Sequence, residues 1–181
     1  TIWITSNGRV AYDAATLSAA FKNQLSALTD GQYLEDTFTY AIKLGNGTLS
    51  WATATVRIYG VNDTPTAAAV AVNATEDGAT VDGSFAGDDV DSDDDVNSLI
   101  YAITSAPSEG SVINNGDGSF TFDPGTDFQD LADGETRDVT FNYTATDSHG
   151  ATSAEATVTV TVTGVNDTPT AAAVAVNATE D

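Results

Sequence analysis

The chain contains no cysteine and no methionine. Without cysteine there can be no disulfide to hold the fold, no thiolate zinc site and no cysteine nucleophile. Without methionine, Thr1 is not expected to be a native start, and the sequence reads as an excerpt of a longer polypeptide. Basic residues are almost as scarce, with 5 Lys plus Arg against 27 Asp plus Glu and a formal net charge of −22. Phosphate backbones and anionic lipid surfaces repel such a chain, which argues against nucleic acid as a partner. No apolar run approaches the ~20 residues of a membrane span, and no signal peptide is visible, so direct membrane insertion is not expected. The only histidine, His149, stands between Ser148 and Gly150 in a tight-turn sequence. A catalytic triad needs groups converging from separate elements, which sequence neighbours do not supply, so no enzyme is expected.

What is present is enough for a core. The length is 181 residues and 41% of them are hydrophobic, which places the chain among globular proteins. The acid is bunched at Asp88–Asp95 and again between Asp127 and Asp138. Clustered carboxylates repel one another unless counter-ions neutralise them, and they are the hard oxygen ligands that calcium takes. Calcium is therefore the first partner to expect.

The sequence repeats itself. Gly60–Asp77 reads GVNDTPTAAAVAVNATED and Gly164–Asp181 reads the same, an offset of 104 residues. That period is too long for a solenoid unit but suits the ~100 residues of an immunoglobulin-type sandwich. A weaker match aligns Asp30–Gly47 with Asp133–Gly150, and Asn7–Asp13 with Asp117–Asp123. The expected organisation is the C-terminal part of one repeat over 1–60, a complete repeat over 61–164, and a linker plus first strand of a third over 165–181. Residues 1–60 carry seven extra residues within the segment Thr16–Leu28, where Leu17, Phe21 and Leu25 fall at helical spacing, predicting a short surface helix.

Within 61–164, apolar and polar residues alternate with period two. Ala156, Val158, Val160 and Val162 are expected to point inward, as are Val139, Phe141, Tyr143 and Ala145. Shorter strands are predicted over 68–74, 79–86, 98–104, 110–114 and 118–123, separated by turn sequences such as Asn115-Gly116-Asp117-Gly118. Seven strands, A to G, imply an all-β, Greek-key sandwich in two sheets. In that arrangement the BC loop (Asp88–Asp95) and the FG loop (Asp147) share the end where the linker Asn62-Asp63-Thr64-Pro65 enters. The opposite end gathers Glu76, Asp77, Asp130 and Asp133 around the outgoing linker Asn166-Asp167-Thr168-Pro169. Asp89, Asp91, Asp93 and Asp95 imitate the start of an EF-hand, but Asp94 stands where glycine is required and Ile100 where glutamate is.

The NDTP linker, the TED turn, Asp89-Val90-Asp91, the NGDGSFTFDP hairpin and FNYTATDSHG followed by ATVTVTVTG together resemble the cadherin-like tandem repeats, including the VCBS type, of bacterial RTX-type surface adhesins. The resemblance implies tandem Ig-like sandwiches joined by short calcium-binding linkers. It assigns metal-ligand roles to Asn62, Asp63, Glu76, Asp89, Asp91 and Asp147, and to Asn166 and Asp167 at the next junction. Two departures stand out: Gly60 replaces the acid that begins a cadherin linker, and Leu44 occupies the place of Asp147 in the preceding repeat.

The expected function is that of an extender in a large secreted adhesin at the bacterial cell surface, rigidified by calcium and supporting cell adhesion or biofilm formation. Its expected partners are calcium ions and neighbouring repeats of the same chain. Two alternatives remain: a filament or surface layer in which Thr170–Asp181 is donated as a strand to an identical chain, and a module that binds a glycan or protein. No cleft-forming insertion or aromatic sugar platform is expected, and Trp3 and Trp51 are expected in a core or edge packing.

Overall fold

The computed structural model describes residues 2–7 and 9–180. Thirteen strands form among them. The first four lie before the linker: β1 (Ile2–Ile4) pairs with β2 (Val10–Tyr12), and β3 (Tyr33–Lys43) pairs with β4 (Leu49–Tyr59). The other nine build the sandwich that follows. They are β5 (Thr66–Ala67), β6 (Val70–Thr75), β7 (Val81–Ser84), β8 (Gly87–Asp88), β9 (Ile100–Ser105), β10 (Ser111–Asn114), β11 (Ser119–Asp123), β12 (Thr136–Thr146) and β13 (Ala156–Thr163).

One sheet of the sandwich has the order β10-β11-β7 and the other β6-β13-β12-β9, with a short β5-β8 pair at the rim. Alternation dictates which residues meet between the sheets. Val139, Phe141, Tyr143 and Ala145 of β12 and Ala156, Val158, Val160 and Val162 of β13 are all buried, as the sequence predicts. Phe120 and Phe122 of β11 face them, and Phe85, Tyr101 and Tyr143 complete an aromatic cluster with ring centroids 4.7–6.1 Å apart. Such contacts add about 0.5–1.5 kcal/mol per pair beyond the area they bury.

The predicted strands at 68–74 and 79–86 appear as β6 and β7, each set off by a short break from a two-residue strand, β5 or β8, beyond the predicted bounds. The interruptions fall at Ala68 and Phe85-Ala86, and the wholly buried Tyr143 hydroxyl sits there, bonded to Ala68 O and accepting from Ala86 N at 3.1 Å. A buried phenol needs partners, and the two strands open to provide them.

Residues 2–59 hold strands that correspond to the last four of the sandwich. Helix α1 (Ala19–Ser26) forms where predicted, capped by Ser18 Oγ accepting from Phe21 N at 3.2 Å, with Leu17, Phe21 and Leu25 its half-buried stripe. Both tryptophans depart from expectation. Trp3 pairs with Ala11 on the small hairpin and Trp51 with Ala41, and both are well exposed. Neighbouring positions explain why: Ala52, Ala54, Val56 and Ile58 take the inward register of β4, so parity alone turns Trp51 outward.

Two copies of one 18-residue sequence take different conformations. In the first copy Val70–Thr75 runs parallel to β13, pairing Val70 with Val158 and Val72 with Val160. In the second, the strand expected after residue 165 is not formed among the described residues, and Val174 and Val176 are 84% and 89% exposed. A single strand without a ladder or a core face cannot offset its ordering entropy; Asp181 lies outside the described residues.

Candidate metal centre at the linker

The linker leaves β4 through Gly60, whose N–H donates to Gln32 O at 2.9 Å. A Cβ at Gly60 would fall 2.6 Å from Leu28 Cβ and collide with Leu28 O, and at Gly164 one would fall 2.7 Å from Leu131 Cβ. The linker therefore begins with glycine because its backbone lies against the preceding turn. No acid fits there.

Asn62 donates through Nδ2 to Asp63 O at 3.0 Å and to Asp147 Oδ2 at 2.9 Å. Asp63 N donates to Asp91 Oδ2 at 2.7 Å, and Asp91 N donates to Asp89 Oδ1 at 2.9 Å. These bonds gather Asn62, Asp63, Asp89, Asp91 and Asp147 from three chain segments into one cluster. Asp91 is 2% and Asp147 3% exposed. Asn62 Oδ1, Asp89 Oδ2 and Asp91 Oδ1 are buried with no hydrogen-bond partner.

Orphaned carboxylate oxygens are costly, because a buried acceptor without a donor loses about 1–3 kcal/mol and a buried charge loses more. The titration behaviour carries the same strain. Burial pushes the Asp89 carboxyl up, and the charges of Asp91 and Asp147 add to the rise against backbone hydrogen bonds that oppose it. Asp147 meets the opposite balance: burial would raise it, but donors from Asn62, Ala151, His149 and Gly150 outweigh burial and hold it below its ordinary value. The donor set is wholly oxygen, drawn from loops, with several carboxylates. It fits a hard divalent cation, and calcium, which takes six to eight oxygens, better than magnesium.

The far end of the sandwich shows the other side of the same kind of linker. Glu76 is 1% exposed; its Oε1 accepts from Val165 N at 2.6 Å, and its Oε2 is buried without a partner. Asn166 Nδ2 donates to Asp167 O at 3.2 Å, as Asn62 does to Asp63 O, although Asn166 and Asp167 are themselves exposed. Two residues expected to join them are engaged elsewhere. Asp130 pairs with Arg137 at 2.6 Å and Asp77 accepts from Gln129 at 3.0 Å, while Asp133 stays exposed. Arg137 of β12 holds Asp130 through Nη2 and Glu109 through Nη1.

Two features escaped the sequence reading. Asp94 is a buried brace: it accepts from Ser98 Oγ at 2.9 Å and from Ser148 Oγ at 2.8 Å, tying the acidic loop to the turn that carries Asp147. With Asp93 and His149 it forms a compact group with ligand atoms within 4.8 Å of one another. The other feature is a bond from Ser92 N to Ala27 O at 3.2 Å, which joins the acidic loop to the segment after α1. Leu44 makes the same turn as Asp147, with its N–H donating to Thr48 O at 2.8 Å where Asp147 N donates to Ala151 O at 3.0 Å, but it brings no carboxylate.

Residues 62–164 match the sequence model of a family described as the bacterial cadherin-like domain. Among solved structures, Drosophila N-cadherin EC1-4 superposes with a TM-score of 0.53 at 17% identity, covering 92% of this chain and 40% of that one. Mouse protocadherin-24 EC1-3 gives 0.48 at 17% identity, covering 90% and 52%. The chain thus spans between two fifths and about half of these structures, and at 17% identity the likeness to the N-cadherin structure is one of fold. No curated protein shows a significant match. Among the described residues no helix is long and apolar enough to cross a membrane.

Proposed function

The chain belongs to the bacterial cadherin-like domain family, and on that premise we propose that it is a mechanical spacer of an extracellular adhesion protein, stiffened by calcium at the linker. The supporting observation is the set of partnerless buried oxygens on Asn62, Asp89 and Asp91 beside the linker. A divalent cation there satisfies all three and draws Asp63 and Asp147 into the same shell. Glu76, facing the outgoing linker with its own partnerless oxygen, contributes from the upstream side of the next junction.

The mechanism is loss of freedom. The linker is already tied to the acidic loop through the Asp63 backbone N–H and to the turn carrying Asp147 through the Asn62 side chain. An ion bonded to the same side chains removes the remaining bending. Extracellular calcium modules have dissociation constants of roughly 10⁻⁴–10⁻³ M. At about tenfold excess one such site contributes ~1.4 kcal/mol, enough to fix a hinge and too little to fold a sandwich. The role is mechanical, with no catalytic step. Within the family reading, the parent is a repetitive adhesin of the RTX type, exported to the bacterial surface, where stiff arrays hold an adhesive end away from the cell and support biofilm contact.

Small-angle scattering of the 181-residue chain tests the proposal. Chelator is expected to lower the maximum dimension and broaden its distribution, and calcium to restore it. Identical profiles in both conditions, or calorimetry without saturable heat that Asp91→Asn removes, would refute it.

A further inference from the structure

The outward face of the β3–β4 hairpin differs in kind from the same face of the sandwich. Tyr33 pairs with Tyr59 just before Gly60, as Thr136 pairs with Thr163 just before Gly164. Counting back along the strands, Arg57 stands where Thr161 does, and Trp51 where Glu155 does. The sandwich covers this face with threonine and acid; the hairpin covers it with aromatic rings and a guanidinium. Nothing in the fold requires the rings, since the sandwich forms the same two strands without them.

The rings are organised. Tyr33 and Tyr59 lie 5.4 Å apart, Arg57 sits 4.8 Å over the Tyr33 ring and its Nε donates to Glu35 at 2.9 Å. Trp51, 67% exposed, marks the other end of the strip. Eight residues of strand at about 3.4 Å each separate Trp51 from Tyr59, about 27 Å in all. Between them run the cross-strand pairs Thr37–Thr55 and Thr39–Thr53, a ladder of hydroxyls on the same face.

Charge selects the occupant. Residues 1–60 hold four acidic and four basic side chains, whereas 61–181 hold 23 acidic against one basic. The strip is thus the neutral part of a strongly anionic chain, and a polyanion approaching it meets repulsion from everything beyond the linker. A flat, uncharged, hydroxyl-rich polymer meets none; its apolar C–H faces stack on exposed rings and its hydroxyls bond to threonine, Arg57 and Glu35.

We propose that the outer face of β3–β4 binds an extended neutral polysaccharide, with Trp51 stacking on one end of the bound segment and the Tyr33–Tyr59 pair on the other. The site lies on side chains away from the acidic cluster and needs no cation. Affinity electrophoresis of the whole chain in chelator, through gels containing soluble β-glucan, galactomannan or alginate, tests it independently of the calcium reading. Retardation is expected in at least one neutral gel and none in alginate. Trp51→Glu installs the residue that stands just before β13 at the matching sequence place, and it should weaken binding about tenfold or more, about 1.4 kcal/mol, with an unchanged circular dichroism spectrum. Trp51→Phe should retain most of the binding and Trp3→Ala all of it. No retardation in either neutral gel, retardation in alginate alone, or retardation untouched by Trp51→Glu would each overturn the proposal.

Discussion

Asp91→Asn is expected to raise stability in chelator and to lose the further gain that calcium gives the parent. Asp91 Oδ2 accepts from Asp63 N, and an amide oxygen can keep that bond. The atom replaced is then Oδ1, buried and partnerless near Asp89, whose carboxyl is already raised by burial and by the charge of Asp91. An amide nitrogen there removes one buried charge and supplies a donor where none exists, recovering about 1–3 kcal/mol of the orphan's cost. In a domain of this size 1 kcal/mol moves the melting midpoint by about 4–8 °C. In chelator, therefore, the variant should melt several degrees above the parent. In calcium at about tenfold excess the parent gains ~1.4 kcal/mol, about 6–11 °C, whereas the variant gains almost nothing. Differential scanning calorimetry of both proteins in both buffers gives the four midpoints. A variant that melts below its parent in chelator would show that the carboxylate is satisfied within the protein, and the metal argument would fail at its root.

Two further outcomes follow from the same geometry. Asp147, held below its ordinary value, contributes stability that is present above the unfolded carboxylate range and lost as pH falls through its folded value; Asp89, held above, costs stability while ionised and is relieved as pH falls through its raised value. Urea midpoints in chelator should accordingly rise slightly on mild acidification before the acid collapse, and Asp89→Asn should abolish the rise; a monotonic fall in the parent refutes the assignment. Gly164→Ala drives a methyl toward Leu131 Cβ and Ala132 O and should cost about 1–3 kcal/mol by urea denaturation, while Gly45→Ala, with nothing within 4 Å, should be neutral; equal effects would contradict the packing of the linker.

Much of the sandwich can be read from its sequence because period-two alternation in β12 and β13 has one physical solution, and those inward residues are the core. The meeting of the acidic loop, the late turn and the linker is legible too, because a seven-strand sandwich places those three segments at one end. What escaped depends on three-dimensional neighbours. Trp51 looks like a core residue until the register of Ala52, Val56 and Ile58 fixes its parity. Asp130 looks like a ligand until Arg137, seven residues away, captures it. Asp94 reads as one more acid in a run, and only the approach of Ser148, 54 residues distant, makes it a brace.

The parallel pairing of β6 with β13 sets the order of events during synthesis. Val70 finds Val158 only after 88 further residues have been made, so each sandwich stays open until its closing strand arrives. The two entry segments of the chain are letter for letter the same, so side-chain chemistry offers no way to tell a rightful docking edge from another. Fidelity has to come from tether length: the segment already joined through its own hairpins reaches its edge at a higher effective concentration than any stranger does. Late closure and identical entry segments favour folding that follows the chain as it emerges.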